Sequence, residues 1–395
     1  MSHAVGRRCG GLLRSAAVRI YLDHNATTPL CPEARLAMEH ALRDVYGNPS
    51  SVTFEGTQAR ARVESAREQV AALLSTPPSS VRFTSGATEA NNTLLFGRLT
   101  PGDHVVASRV EHPSVAVPLE RLAERGAEID WIAPDAAGCL CVDALAAAIR
   151  PETKLVSVLW ANNETGAIQP IDAIAGLCRE RGIWLHVDAT QAIGKLEVDL
   201  SRTPVDSLAS SAHKLGGPKG VGALVLRDPA AVPAFLLGGG QEQGRRGGTE
   251  NVIGIAGYGA ACQEVARRGA ARAGELRGLR DRLWQAIEAT IERVRWNGDP
   301  ERTLANTLNV EFAGLAGEVL LQALDLEGVA VSAGAACHSG SIEPSKTLLA
   351  MGRTPAEARA SLRFSLGAGV DAAQIDRTAE LLGKLVPRIR ALGEP

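Results

Sequence analysis

Between Val81 and Leu226, short apolar runs alternate with helix-length segments, and that rhythm leaves few folds open to the chain. The strand candidates are Val81–Thr84, Val105–Ser108, Ile129–Ile132, Leu155–Leu159, Ile183–Val187, Ser207–Ala209 and Val221–Leu226. Alternation of this kind predicts a mostly parallel sheet covered by helices, an α/β architecture. The Ala-, Arg- and Glu-rich stretch Ala261–Arg293 predicts a long helix leaving the sheet. Beyond it, strand candidates Asn306–Phe312, Val329–Ser332 and Ser361–Ser365 alternate with helices, as in a smaller α+β domain. A length of 395 residues exceeds what one core serves, so two domains are expected, over residues 20–257 and 258–390, with N-terminal residues packing near the second.

The formal net charge of −2 gives no concentrated basic surface for nucleic acid or an anionic membrane, and neither is expected as a partner. No apolar run approaches the roughly 20 residues that span a bilayer. The seven cysteines, at 9, 31, 139, 141, 178, 262 and 337, are odd in number and lack Cys-x-x-Cys spacing, which fits reduced thiols in a cytoplasmic protein. Residues 1–19 hold Arg7, Arg8, Arg14 and Arg19 and no acid. They read either as a transit segment or as a disordered start ahead of the first strand, Ile20–Asp23.

In an open α/β sheet, ligands bind where strand carboxyl ends meet helix N-termini. The run Val81–Thr84 leads into Ser85-Gly86-Ala87-Thr88, a tight turn and helix start whose backbone N–H groups and Thr88 hydroxyl suit a phosphate, although an ordinary capped helix reads the same way. Asp188 closes an apolar strand, where a carboxylate needs a cation or serves as a helix cap. Lys214 follows in Ser211-Ala212-His213-Lys214, ahead of Gly216-Gly217-Pro218, and is one of only six lysines. A lysine for a Schiff base, a carboxylate for a pyridine nitrogen, and hydroxyl and imidazole donors for a phosphate are the parts of a pyridoxal 5′-phosphate site. Lys219, two residues past the glycines, is the competing lysine. Arg363, inside the apolar strand Leu362–Leu366, needs an anion: a substrate carboxylate or a structural acid.

Nine ordered segments carry a family resemblance: Tyr21–Pro29, Gly47–Ser51, Thr84–Asn92, Glu111-His112, Asn162–Gly166, His186–Gln191, Ser211–Lys214, Arg246–Thr249 and Ser361–Gly367. The chain resembles the class V aminotransferase family, and within it the cysteine desulfurases of the NifS/IscS-like group. The resemblance implies the PLP-dependent transferase fold (aspartate aminotransferase type I), with a seven-stranded sheet in a large cofactor-binding domain and a small domain carrying a catalytic cysteine. It implies Lys214 as Schiff-base lysine and proton shuttle, Asp188 at the pyridine nitrogen and Gln191 at the phenolic oxygen. Ala87, Thr88, Ser211 and His213 are implied at the phosphate, and His112 stacked over the ring with a part in acid–base steps. Asn163 and Arg363 are implied at the substrate carboxylate. Thr249 is implied at the phosphate of a neighbouring subunit, hence a homodimer.

Cys337, in Ala335-Ala336-Cys337-His338-Ser339-Gly340, separates a desulfurase from a transaminase. Small residues on both sides are poor core material and suit a loop that brings a thiolate to a substrate sulfur. The implied reaction takes L-cysteine to L-alanine through a Cys337 persulfide. The sulfur then goes to an acceptor or iron–sulfur scaffold protein, for cluster or thio-cofactor assembly. Cys337 as a transient ligand to a transferred iron–sulfur cluster is left open. The His338-Ser339 pair departs from the Thr or Ser that commonly follows this cysteine and also occurs in selenocysteine lyases, the nearest alternative. A silent, partner-binding protein of this fold is the remaining alternative, and the presence of Lys214, Asp188 and Cys337 argues against it.

Overall fold

The strand candidates assemble into one seven-stranded sheet. In the computed structural model, which describes residues 19–333, 337–338 and 341–393, its strands are β1 (Val81–Thr84), β2 (His104–Ser108), β3 (Glu128–Ile132), β4 (Thr153–Leu159), β5 (Trp184–Asp188), β6 (Ser207–Ser211) and β7 (Gly222–Leu226). They lie in the order β1-β7-β6-β5-β4-β2-β3. Pairs from β6 to β3 are parallel, and β7 is antiparallel to both β6 and β1. Strand β1 therefore runs with the parallel set, and only β7 is reversed. The carboxyl ends of the other strands share one edge. The basic residues before Arg19 lie outside the described residues.

The sheet is buried on both faces, and the side chains divide between them with a period of two. Val106, Val156, Leu185, Val187, Leu208 and Val225 enter one apolar core, while Val105, Ala107, Leu155, Ala209, Leu224 and Leu226 enter the other. Helices α1 (Pro32–Asp44), α2 (Phe54–Leu73), α3 (Ala87–Arg98), α4 (Pro113–Ala123) and α5 (Val252–Thr290) include the main packing elements. The long helix starts nine residues before the sequence-based estimate, at Val252 instead of Ala261. Its first turns hold Gly254, Gly257 and Gly259, which depress helix propensity but permit close packing. A Cβ on Gly257 would stand 2.6 Å from Met38 Cγ on α1, and one on Gly259 2.7 Å from Ala66 Cα on α2.

Helix α5 is broken at Gly269, which has φ 42° and ψ −140°. Before the break Tyr258 and Cys262 belong to the sheet core; after it Leu276, Leu283 and Ile287 belong to a separate core. That second core lies over an antiparallel sheet ordered β10-β9-β8, formed by β8 (Val294–Trp296), β9 (Thr307–Phe312) and β10 (Ser361–Ser365). Ile20 and Leu22 join it, because Ile20–Tyr21 pairs in parallel with Val329–Ala330. Two expected strands are thus shorter than their apolar runs. Asp23 and Ser332 instead make single bridges to Ser365 and Arg363. No helix among the described residues is long and apolar enough to cross a membrane.

Candidate active site

A cavity of about 630 Å³ opens at the carboxyl edge of the large sheet, where Arg363 reaches in from β10. Its lining includes Ala87, Thr88, His112, Asn163, Asp188, Gln191, Ser211, His213, Lys214 and Arg363. Ten residues singled out in the sequence are therefore gathered at one site. Thr249 is apart, in a smaller cavity of about 180 Å³ with Thr84, Ser85 and Arg246. The backbone of Cys337 pairs with Ile342; its side chain lies outside the described residues.

One end of the cavity is made of backbone. Helix α3 begins at Ala87 behind an N-cap Gly86 that offers no side chain, so its first N–H groups have no side-chain cap. Gly86 has φ 156° and ψ 176°, a conformation open to glycine almost alone. Close packing fixes the turn in place: a Cβ on Gly222 of β7 would meet Gly86 Cα at 2.7 Å and Ser210 O at 2.4 Å. Ser211 and His213 face the same space, and the His213 ring bonds Thr27 Oγ1 at 3.1 Å. Burial and the charges of Lys214 and Lys219 lower the His213 pKa to about 4, so the ring is neutral at pH 7.

The opposite end is a side-chain network. Asp188 is 5% exposed, with Oδ2 accepting from Asn91 Nδ2 at 2.8 Å and Oδ1 from the Thr190 amide at 3.0 Å. Among the described residues no cation pairs with it. Asn91 also donates to Ser114 Oγ at 2.9 Å, and Ser114 Oγ stands 2.7 Å from His112 Nδ1. Since the Ser114 amide donates to that same nitrogen at 3.1 Å, Nδ1 is an acceptor and the proton of the neutral ring is on Nε2. His112 keeps a solvent-facing side, yet the crowding around it lowers its pKa, against the opposing pull of Asp188. Glu111 accepts from the Leu159 amide at 2.7 Å and leaves Oε2 buried without a partner. Burial, then the nearby Asp188 charge, raise its pKa well above the carboxylate range.

Between the two ends, the segment Asp23–Thr28 touches Lys214 and Arg363. Lys214 Nζ donates to the carbonyls of Asn25 and Ala26 at 2.7 and 2.8 Å. Burial, followed by the Arg363 charge, lowers the Lys214 pKa to about 8, so much of the amine is neutral in mildly alkaline solution. Arg363 pairs with Asp23 Oδ1 at 2.6 Å and donates to the Asn163 carbonyl at 2.8 Å, while its Nε is buried and has no partner among the described residues. Arg363 thus has the structural acid that one alternative called for, and it also lines the cavity. Sequence reasoning missed Asn25, Asn91, Ser114 and Lys195. Asn91 left a trace, since it sits among Ala87, Ala90 and Leu94 on the buried face of α3.

These residues fit pyridoxal 5′-phosphate. A buried carboxylate without a cation suits a pyridinium, and an uncapped helix start suits a phosphate.

Residues 20–378 match the class-V aminotransferase family model. The chain is 42% identical over 382 residues to the cysteine desulfurase IscS of Serratia proteamaculans, covering 94% of each, and 42% identical over 377 residues to a cysteine desulfurase of Trichormus azollae, again covering 94% of each. Among solved structures, a NifS-like protein superposes with a TM-score of 0.87 at 31% identity, over 94% of this chain and 100% of that one. SspA in complex with cysteine gives 0.78 at 33% identity, over 88% and 98%. Fold, ordered motifs and relatives agree that this chain belongs to the class-V aminotransferase family, in its NifS/IscS-like cysteine desulfurase group.

Proposed function

We propose that the chain converts L-cysteine to L-alanine and passes the sulfur, through a persulfide on Cys337, to an acceptor protein for iron–sulfur or thio-cofactor assembly. The observation that carries this reading is the meeting, in one cavity, of an amine of lowered pKa (Lys214), an uncompensated buried carboxylate (Asp188) and a guanidinium (Arg363). Pyridoxal 5′-phosphate, when bound, supplies an electron sink that acidifies the substrate Cα–H. Lys214, Asp188, Gln191, Ala87, Thr88, Ser211 and His213 would hold it.

The chain's own groups then act around that sink. Arg363, already oriented by Asp23 and the Asn163 carbonyl, takes the substrate carboxylate together with Asn163. Lys214 Nζ accepts the α-proton, and the Nε2 proton of His112 is available to a group above the ring. The Cys337 thiolate attacks the substrate sulfur. An S–S bond forms as the C–S bond breaks, the electron pair stays on carbon, and protonation there, with return of the α-proton from Lys214, gives alanine. The chain around Cys337 is tied at both ends beside the cavity. Ser332 exchanges two backbone hydrogen bonds with Arg363, and the Ser345 hydroxyl donates to Glu164, next to Asn163. Five residues from Ser332 reach about 17 Å at most, so Cys337 cannot stray far from the cavity mouth.

A large cofactor-binding domain over residues 20–257 and a small one over 258–390 are in keeping with there being two cores, although Tyr258 and Cys262 pack in the first core, Ile20 and Leu22 in the second, and the break in α5 falls at Gly269. Homodimerisation is supported by the exposure of Tyr46, Val52 and Phe54, at 83%, 94% and 74%, and by Thr249 standing away from its own chain's cavity. The absence of disulfides among the described residues supports a cytoplasmic setting.

Alanine release by the purified holoenzyme, given L-cysteine or L-selenocysteine with a thiol reductant, tests the reading. Turnover of L-cysteine is expected, with a loss of about 100-fold or more in Cys337→Ala. Turnover of selenocysteine alone would make the protein a lyase, and undiminished Cys337→Ala activity on L-cysteine would remove Cys337 from the mechanism.

A further inference from the structure

Lys195, four residues beyond Gln191, does not itself line the cavity but bonds the lining residue Gln191, and the reaction outlined above gives it no task. Its Nζ donates to Asn25 Oδ1 at 2.8 Å and to Gln191 Oε1. Among the described residues it has no carboxylate partner, although burial and the charges of Lys214 and Arg363 push its pKa well below that of an ordinary lysine. A lysine held this way without an acid needs an explanation beyond charge pairing.

The explanation follows from donor and acceptor chemistry at Gln191. Its amide is 5% exposed and has two ends that are easily interchanged by rotation. A lysine ammonium only donates, so the end it meets is the oxygen. The Asn25 carbonyl, 2.9 Å from the other end, only accepts, so that end is the NH₂ group. Two independent neighbours impose one orientation. The bonds from Lys195 require two N–H hydrogens, which the amine has in either protonation state, so the arrangement survives loss of its charge. One NH₂ hydrogen of Gln191 is engaged by Asn25, and the other is left for the cavity that Gln191 lines.

We propose that Lys195 is a positioning residue: it fixes the Gln191 amide so that the cavity meets a donor N–H and never the carbonyl oxygen. The group addressed is an anionic ring oxygen, the phenolate of pyridoxal 5′-phosphate. This rests on the cofactor reading above. The same amine ties the amide to Asn25, whose side chain is fixed in turn by Thr307 and Asn306 from the second core's side of the cavity. The orientation of one amide in the large-sheet core is thus set jointly by both parts of the molecule.

The test is a double-mutant cycle on apoprotein titrated with pyridoxal 5′-phosphate, followed by tryptophan fluorescence and by the visible absorption maximum of the bound cofactor. Lys195→Met should weaken binding about fivefold to tenfold, the value of one oriented hydrogen bond, and shift the maximum. Lys195→Arg, which keeps the donors, should recover most of the loss. In a Gln191→Leu background, Lys195→Met should add no further loss, because its effect runs through the amide. Additive losses, or an unchanged titration and spectrum in Lys195→Met, would overturn the proposal. If Lys195→Met does not fold, Lys195→Leu, which likewise carries no donor, is read by the same criteria. Failure of the unsubstituted apoprotein to bind the cofactor would instead sink the cofactor reading.

Discussion

The two ends of the cavity are built from different materials. At the α3 end the donors are backbone N–H groups, and their placement depends on Gly86 and Gly222 having no side chains. At the Asp188 end the placement depends on side chains bonding one another, from Asp188 through Asn91 and Ser114 to His112. The first end should therefore tolerate side-chain changes and fail when the backbone is forced, and the second should behave in the opposite way. Backbone donors survive every substitution except proline, whereas a side-chain network is only as complete as its weakest member.

The largest expected effect is Gly222→Ala. A Cβ 2.4 Å from Ser210 O must part β7 from β6 or push Gly86 aside, at a cost of about 3 kcal/mol or more, read by denaturant unfolding of the apoprotein. A cost below about 1 kcal/mol would show that the turn is not fixed by packing. Next is Asn91→Ala, which removes the Asn91 partner of Asp188 Oδ2 and of His186 Nε2. About 1–3 kcal/mol of stability should be lost, with cofactor affinity falling alongside. If affinity falls more at Asn91→Ala than at Thr88→Ala, the contrast between the ends holds; equal losses would erase it.

The smallest effect is a pH slope. Burial lowers the His186 pKa to about 4, as it does those of His24 and His213. The unfolded chain takes up these protons near pH 6.5 and the folded chain only near 4. Between those values the unfolded state binds more protons, and stability falls as the pH falls. Glu111 and Glu164, raised by burial, act in the opposite sense. Comparison with His186→Gln isolates one group: the variant should lose a slope of at most about 1.4 kcal/mol per pH unit over that window. Parallel pH profiles would place His186 outside this linkage.

Much of this site is legible in the chain because the relevant side chains stand out locally. Lys214 is one of few lysines and precedes paired glycines; Asp188 ends an apolar strand; Gly86 sits between a strand and a helix. Asn25 and Lys195 carry no such contrast. Asn25 lies in an otherwise ordinary polar stretch, and Lys195 follows a turn that reads as solvated, yet the two meet only because the N-terminal segment returns to bridge both cores. The start of α5 was hidden for a related reason, since its glycines look unfavourable until α1 and α2 are packed against them.

The sequence by itself determined the parallel sheet and singled out the lysine, carboxylate and arginine that line one cavity at its edge, because strand periodicity and isolated charges are written residue by residue. Only the tertiary structure decided which polar groups complete them. Hydrogen bonds between Asn25, Gln191, Lys195 and Asn306 join residues up to 281 positions apart. Their partners are set by how two cores pack, and no local pattern encodes that.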